Sequence, residues 1–235
     1  MSSVRQFVGW AGCVATLTLV PPCACAQDNT LTSAEHAAGW RLLFDGKTTD
    51  GWRGYRMDSV PVGWRVVDGA LTRVAGGDDI LTREAFANFM LELDWNIAPG
   101  GNSGILYRVT EEYDEPYWSG PEMQVLDDAR HPDGQSPLTS AGSNYALYPS
   151  PRGIVKPPGE WNHVRIVVNG NHVEHWLNGQ RVVEYELGSP DWVARVAQSK
   201  FAKYRDFGRA PAGYIDLQEH GARVAYKNIK IRVLP

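Results

Sequence analysis

The run His163-Val-Arg-Ile-Val-Val-Asn-Gly-Asn-His-Val-Glu-His-Trp-Leu-Asn-Gly-Gln-Arg-Val-Val-Glu-Tyr185 decides the fold, because it reads as three β-strands joined by two tight turns. His163 to Val168, His172 to Leu177 and Gln180 to Tyr185 are rich in β-branched residues. Asn169-Gly170-Asn171 and Asn178-Gly179 supply residues that tolerate the positive φ of hairpin turns. Val173, His175 and Leu177 share one face of the middle strand, since side chains alternate along a strand. The same signals recur outward from this run. Trp64 to Arg73 is a hairpin with Asp68-Gly69 at its turn, and Phe89 to Asn96 alternates, with Phe89, Leu91, Leu93 and Trp95 on one face. Gly104 to Val109, Pro121 to Leu126, Tyr214 to Gln218 and Val224 to Leu234 read as further strands. Only the stretch from Pro190 to Lys203 has a helical period. Short strands with frequent turns predict an all-β sandwich of two antiparallel sheets. The stretch from Asp127 to Glu160, rich in proline and glycine, is long for a sandwich loop, and loops of that length are usually functional or partly disordered.

At the N-terminus, Arg5 precedes a short apolar run from Phe7 to Val20, and Ala24-Cys25-Ala26 fits a small-x-small cleavage site before Gln27. Residues 1–26 are therefore expected to be a secretory signal peptide, and the product is expected to be secreted or periplasmic. A lipid anchor on Cys23 or Cys25 is the alternative, which Leu19-Val20-Pro21-Pro22 fits poorly. All three cysteines, Cys13, Cys23 and Cys25, lie in this leader, so the remainder has no thiolate for a disulfide or a metal. The formal net charge of −4 and the absence of a basic run argue against a nucleic-acid partner. The nine Trp and ten Tyr suit sugar stacking as well as core packing.

Two strands carry polar side chains opposite an apolar face. In Gly120-Pro-Glu-Met-Gln-Val-Leu-Asp127, Glu122 and Gln124 point away from Met123 and Val125. In Ile215-Asp-Leu-Gln-Glu-His-Gly221, Asp216, Gln218 and His220 point away from Ile215 and Leu217. A solvated outer face explains either strand alone; together they suggest one concave polar surface. Glycines in Gly100-Gly-Asn-Ser-Gly104 let a ligand or strand approach closely before Tyr107 and Arg108, and Arg108 is a candidate ion-pair partner for Glu122. His131 reads as a solvated loop residue and His175 as a satisfied, half-buried one. Imidazole and carboxylate are also the ligands a divalent cation would take in a cysteine-free site. There is no Gly-x-Ser-x-Gly and no phosphate-cradling glycine motif. Glu92-Leu-Asp94 lacks the further acids in register that a β-glucanase pair needs.

Taken in order, Trp40-Arg-Leu-Leu-Phe-Asp-Gly46, Gly101-Asn-Ser-Gly-Ile-Leu-Tyr-Arg108, Gly120 to Asp127, Gly159-Glu-Trp-Asn162, His175-Trp-Leu-Asn-Gly179, Ser199-Lys-Phe201 and Ile215 to Gly221 resemble the 3-keto-disaccharide hydrolase family, also described as 3-keto-glucoside 1,2-lyase/3-keto-2-hydroxy-glucal hydratase. The resemblance runs from about Gly39 to Val233, and residues 39–234 are taken as one domain. It implies a concanavalin A-like jelly-roll sandwich. It also implies removal of the acidified C2 proton of a 3-keto sugar, loss of the C1 substituent and addition of water. The expected catalytic residues are then Glu122, His220 and His175. Asn102, Tyr107, Arg108, Gln124 and Gln218 are expected to bind substrate, and Glu122 with His220 to hold a possible divalent metal ion; no organic cofactor is expected. A non-catalytic sugar-binding module and an ordinary glycoside hydrolase, the latter with Asp216 as its second acid, are the competing readings.

Overall fold

A computed structural model describes residue 1 and residues 27–235; apart from its first residue, the predicted leader lies outside the described residues. Among the described residues thirteen strands form two antiparallel sheets. The larger sheet contains β1 (Trp40–Leu42), β3 (Trp64–Val67), β4 (Ala70–Arg73), β6 (Phe89–Ile97), β9 (Asn162–Asn169), β10 (His172–Leu177), β11 (Gln180–Glu186) and β13 (Val224–Val233). Its order is β11-β10-β9-β6-β13-β4-β3, with β1 on β13. The smaller sheet contains β2 (Trp52–Gly54), β5 (Ile80–Phe86), β7 (Asn102–Val109), β8 (Glu122–Leu126) and β12 (Gly213–Leu217), in the order β2-β5-β12-β7-β8. Leu91, Leu93, Ile166 and Val168 of one sheet and Ile105, Met123, Ile215 and Leu217 of the other fill a single core, all of them fully buried. This is the two-sheet antiparallel sandwich that the alternation predicts and the jelly roll that the family resemblance implies.

Several details differ from the sequence reading. Strand β5 passes unread because Thr82-Arg83-Glu84 interrupts its apolar residues, yet it pairs with both β2 and β12. The helix Pro190–Ala197, capped by Ser189 accepting from the Trp192 amide, stops short of Lys203. Ser199 then accepts from the Phe201 amide and starts a separate 3-10 turn, Lys200–Lys203. A short helix also precedes β1, at Ser33–Ala37. The loop between Asp127 and Glu160 is packed rather than loose. Its residues 142–145 bond to the free edge of β8, with the Gln124 amide donating to Ser143 O, the Gly142 amide to Gln124 O and the Tyr145 amide to Glu122 O. That contact covers an edge strand that would otherwise offer unpaired backbone groups.

Rings stack in a column that includes Tyr185 of β11 at the edge of the larger sheet. Tyr148 lies 4.8 Å from Tyr185, Tyr185 5.1 Å from Trp192, Trp192 5.8 Å from Phe207 and Phe207 4.2 Å from Phe201, with no pair inclined by more than 11°. The column ends next to Lys200.

Candidate active site

The outer face of the smaller sheet is concave and polar, and register dictates what meets there. Gly104 of β7 lies opposite Gln124 of β8, and Leu106 opposite Glu122. Asp216 of β12 lies opposite Leu106, and the Gln218 amide donates to Gly104 O. Asn102, Glu122, Gln124, Gln218 and His220 consequently line one pocket of about 480 Å³, closed by Asp79, Lys200 and the rings of Tyr117, Tyr145 and Tyr204. The volume suits a small sugar.

Glu122 stands on the pocket floor because residue 104 has no side chain. A Cβ at Gly104 would overlap Glu122 Oε1 and come within 2.8 Å of its carboxyl carbon. The glycine predicted to allow close approach thus makes room for this carboxyl. Gly104→Ala is expected to keep the fold but lower kcat/KM by about 10²-fold, since displacing a reacting group by an ångström costs on that order. Steady-state kinetics beside circular dichroism would check it.

Among the described residues nothing hydrogen-bonds to the Glu122 carboxyl, and burial pushes its pKa up to about 8, the Lys200 charge opposing the shift. At neutral pH it therefore holds a proton. Burial in turn lowers the Lys200 pKa, while Glu122 and Asp133 hold it up. The Lys200 ammonium sits 4.2 Å over the Tyr145 ring and 5.8 Å over the Tyr117 ring. Asp79, which accepts from the Glu219 amide at 2.6 Å, is raised by burial to about 7. Beneath it Asp216 is fully buried with neither carboxyl oxygen partnered, and burial followed by the Asp79 and Glu122 charges holds it well above the carboxylate range.

Three predicted site residues are placed elsewhere. His175 and Tyr107 face the core between the sheets, because they continue the apolar faces of Val173/Leu177 and Ile105. Gly142 O can only accept, so His175 Nδ1 donates to it at 3.1 Å, leaving Nε2 to accept from the Tyr107 hydroxyl at 2.9 Å. Tyr107 also bonds Tyr185. Burial holds the His175 pKa down at about 4, so the ring is neutral and structural. His175→Ala is expected to cost about 3 kcal/mol in denaturant unfolding, because it strands buried hydroxyls and leaves a cavity. Turnover by the protein that remains folded should stay within about threefold of wild type. A loss of kcat in folded protein would return His175 to the reaction.

Arg108 is the third. It lies two residues beyond the Leu106–Glu122 pair, at a left-handed φ of 54°, and does not reach Glu122. Its Nη2 donates instead to Gly170 O at 2.6 Å and Ala87 O at 3.3 Å. His131 caps a 3-10 turn by accepting from the Asp133 amide.

The metal expectation fares differently from its assigned ligands. His172, Glu174 and Glu184 place ligand atoms within 4.8 Å of one another, a group that could hold a metal ion. It lies on the β10–β11 hairpin of the larger sheet, where Arg181 already pairs with both glutamates. Glu122 and His220, the expected ligands, are not part of that group among the described residues.

Sequence reasoning left out Lys200, Asp79 and the three tyrosines. Ser199-Lys-Phe201 was visible as a motif, but nothing local ties a lysine there to Glu122. Asp79 follows Gly76-Gly77-Asp78 and reads as part of a turn.

Comparisons with known proteins bear on the family and the fold. Residues 39–232 match the model of the 3-keto-alpha-glucoside-1,2-lyase-like domain. A 3-keto-disaccharide hydrolase of Bacteroides thetaiotaomicron is 34% identical, over 89% of this chain and 83% of the relative. Two crystal structures from Parabacteroides distasonis, described provisionally as glycosyl hydrolases, superimpose closely. One has a TM-score of 0.84 at 38% identity, covering 89% of this chain and all of the other (100%). The second has a TM-score of 0.69 at 30% identity, covering 83% of this chain and 99% of the other. With a family match over most of its length and a relative of this identity, the chain belongs to the 3-keto-alpha-glucoside-1,2-lyase-like family.

Proposed function

We propose that this pocket cleaves 3-keto-glucosides by β-elimination across C1 and C2, followed by hydration of the resulting unsaturated sugar. The observation that carries the reading is the pairing of a proton-bearing carboxyl, Glu122, with the ammonium of Lys200 in one sugar-sized pocket. A ketone at C3 acidifies the C2 proton. His220, at the pocket rim, takes that proton as general base. Lys200 stabilises the negative charge that develops on the C3 oxygen. As the C1–O bond breaks, Glu122 gives its proton to the departing oxygen and C1=C2 forms. Asn102, Gln124 and Gln218 orient the sugar hydroxyls. A divalent ion, if bound, would polarise the C3 carbonyl; no step here depends on one.

The electrostatics disfavour the competing readings. A retaining glycosidase with Asp216 as its second acid needs that carboxylate ionised, whereas Asp216 is sealed from solvent and raised well above the carboxylate range. A binding module has no use for an unbonded buried carboxyl, which costs stability. Incubation with methyl β-glucoside and with its 3-keto derivative separates the three: cleavage of the keto sugar alone is expected. Cleavage of both would indicate a glycosidase, and cleavage of neither a binding module. The signal-like N-terminus supports an exported enzyme acting on sugars outside the cytoplasm.

A further inference from the structure

A second cavity, of about 710 Å³, opens on the other side of Tyr204, the one residue that lines both it and the sugar pocket. Its walls are Trp192, Val193, Val196 and Phe207, and its only charged lining groups are arginines: Arg108, Arg205 and Arg209. Arg205 lies in the open, 3.9 Å from Asp206. Arg108 is different. It is 5% exposed, its Nε has no partner, and among the described residues no carboxylate lies within ion-pair distance of it. Its two carbonyl acceptors solvate the guanidinium without neutralising it. A buried, unpaired cation is costly unless an anion joins it. Apolar walls ending at a cation with no counter-charge describe a site for an anion with an apolar body. Flat rings at one wall favour an aromatic one.

We propose that this cavity binds an aromatic carboxylate, and that the acid is the leaving group of the substrate. The sugar ring would sit over Glu122 and the aglycone would pass Tyr204 to bring its carboxylate toward Arg108 and Arg209. This rests on the reading of the sugar pocket given above. The chemistry balances: the C2 proton goes to the base, the C1–O bond breaks with its electron pair on the phenolic oxygen, and C1=C2 forms. A phenol leaves readily because its pKa is about 10.

Calorimetric titration of the full chain with 3-phenylpropanoate and with neutral 3-phenylpropanamide tests the site without any turnover. Saturable binding of the acid at least tenfold tighter than the amide is expected, with a loss of tenfold or more in Arg209→Glu and in Val193→Trp, which fills the groove. Equal affinity for acid and amide, or no saturation, would overturn the proposal. In parallel, the 3-keto-glucoside of 3-(4-hydroxyphenyl)propanoate should show a kcat/KM at least tenfold above that of the phenyl 3-keto-glucoside, and Arg209→Glu should remove the advantage. Equal kcat/KM values would refute the leaving-group assignment. Methyl 3-keto-glucoside separates the two levels: if it is cleaved while the acid fails to bind, the cavity assignment falls and the elimination stands. If the acid binds and no keto sugar is cleaved, the reverse holds.

Discussion

Glu122→Gln is expected to lower kcat/KM on a 3-keto-glucoside by about 10²–10⁴-fold, the range general acid catalysis supplies, while leaving the protein at least as stable as wild type. The second half of this expectation follows from the proton. The Glu122 pKa rises from an ordinary 4.5 to about 8 on folding. Between those values the native state holds a proton that the unfolded chain has released, so stability is fully present below pH 4.5 and falls as pH rises toward 8. Glutamine keeps the shape and never ionises. The variant should therefore match wild type near pH 4.5 and exceed it at pH 8–9, by on the order of a few kcal/mol. Denaturant melts at both pH values, beside kinetics, would check it. Unchanged activity would remove Glu122 from the mechanism, and a lower stability at pH 9 would mean that its carboxyl is solvated. The wild-type rate should itself fall above about pH 8, and that limb should vanish in Glu122→Gln.

Lys200→Met is expected to lower kcat by about 10²–10³-fold, as removal of one group stabilising a developing oxyanion typically does. Methionine retains the stem that packs among Tyr145, Tyr117 and Phe201. The pH profile adds a signature that a packing defect would not produce. The Lys200 charge is the main influence holding the Glu122 pKa down, so its removal should move the alkaline limb above 8. A variant that lost activity with the limb unmoved would show that the two side chains do not sense each other.

The sandwich was legible because strand alternation and Asn-Gly turns act locally. Phe89, Leu91, Leu93 and Trp95 declare a buried face without reference to the rest of the chain. Glu122, Gln124 and Gln218 were legible for the same reason: each is polar where its strand alternates. His175 and Tyr107 misled because a polar atom on an inward face can be satisfied by another polar atom arriving from elsewhere. His175 meets the Tyr107 hydroxyl across 68 positions of sequence, and no local pattern records that. Arg108 misled through a backbone reversal, its left-handed φ, that carries the side chain away from Glu122. Lys200 was missed because it comes from a 3-10 turn whose position is set by stacked rings rather than by a strand register.

That last point divides the pocket into two kinds of wall. Glu122, Asp216 and Gln218 stand on or directly beside strands whose spacing is locked by backbone bonds, and no side-chain exchange on the surface shifts them. Lys200 hangs from the end of a column of five rings running from Tyr148 to Phe201, in which Tyr185 is anchored on β11 and hydrogen-bonded to Tyr107, Tyr148 bonds Asp191, and the rings beyond them stack on one another. Exchanging one of the stacked rings for a thinner or wider side chain is expected to shift the Lys200 ammonium relative to Glu122. The pocket thus has one wall fixed by strand register and one set by ring packing, and changes in the column are expected to alter which substrates the proposed site accepts.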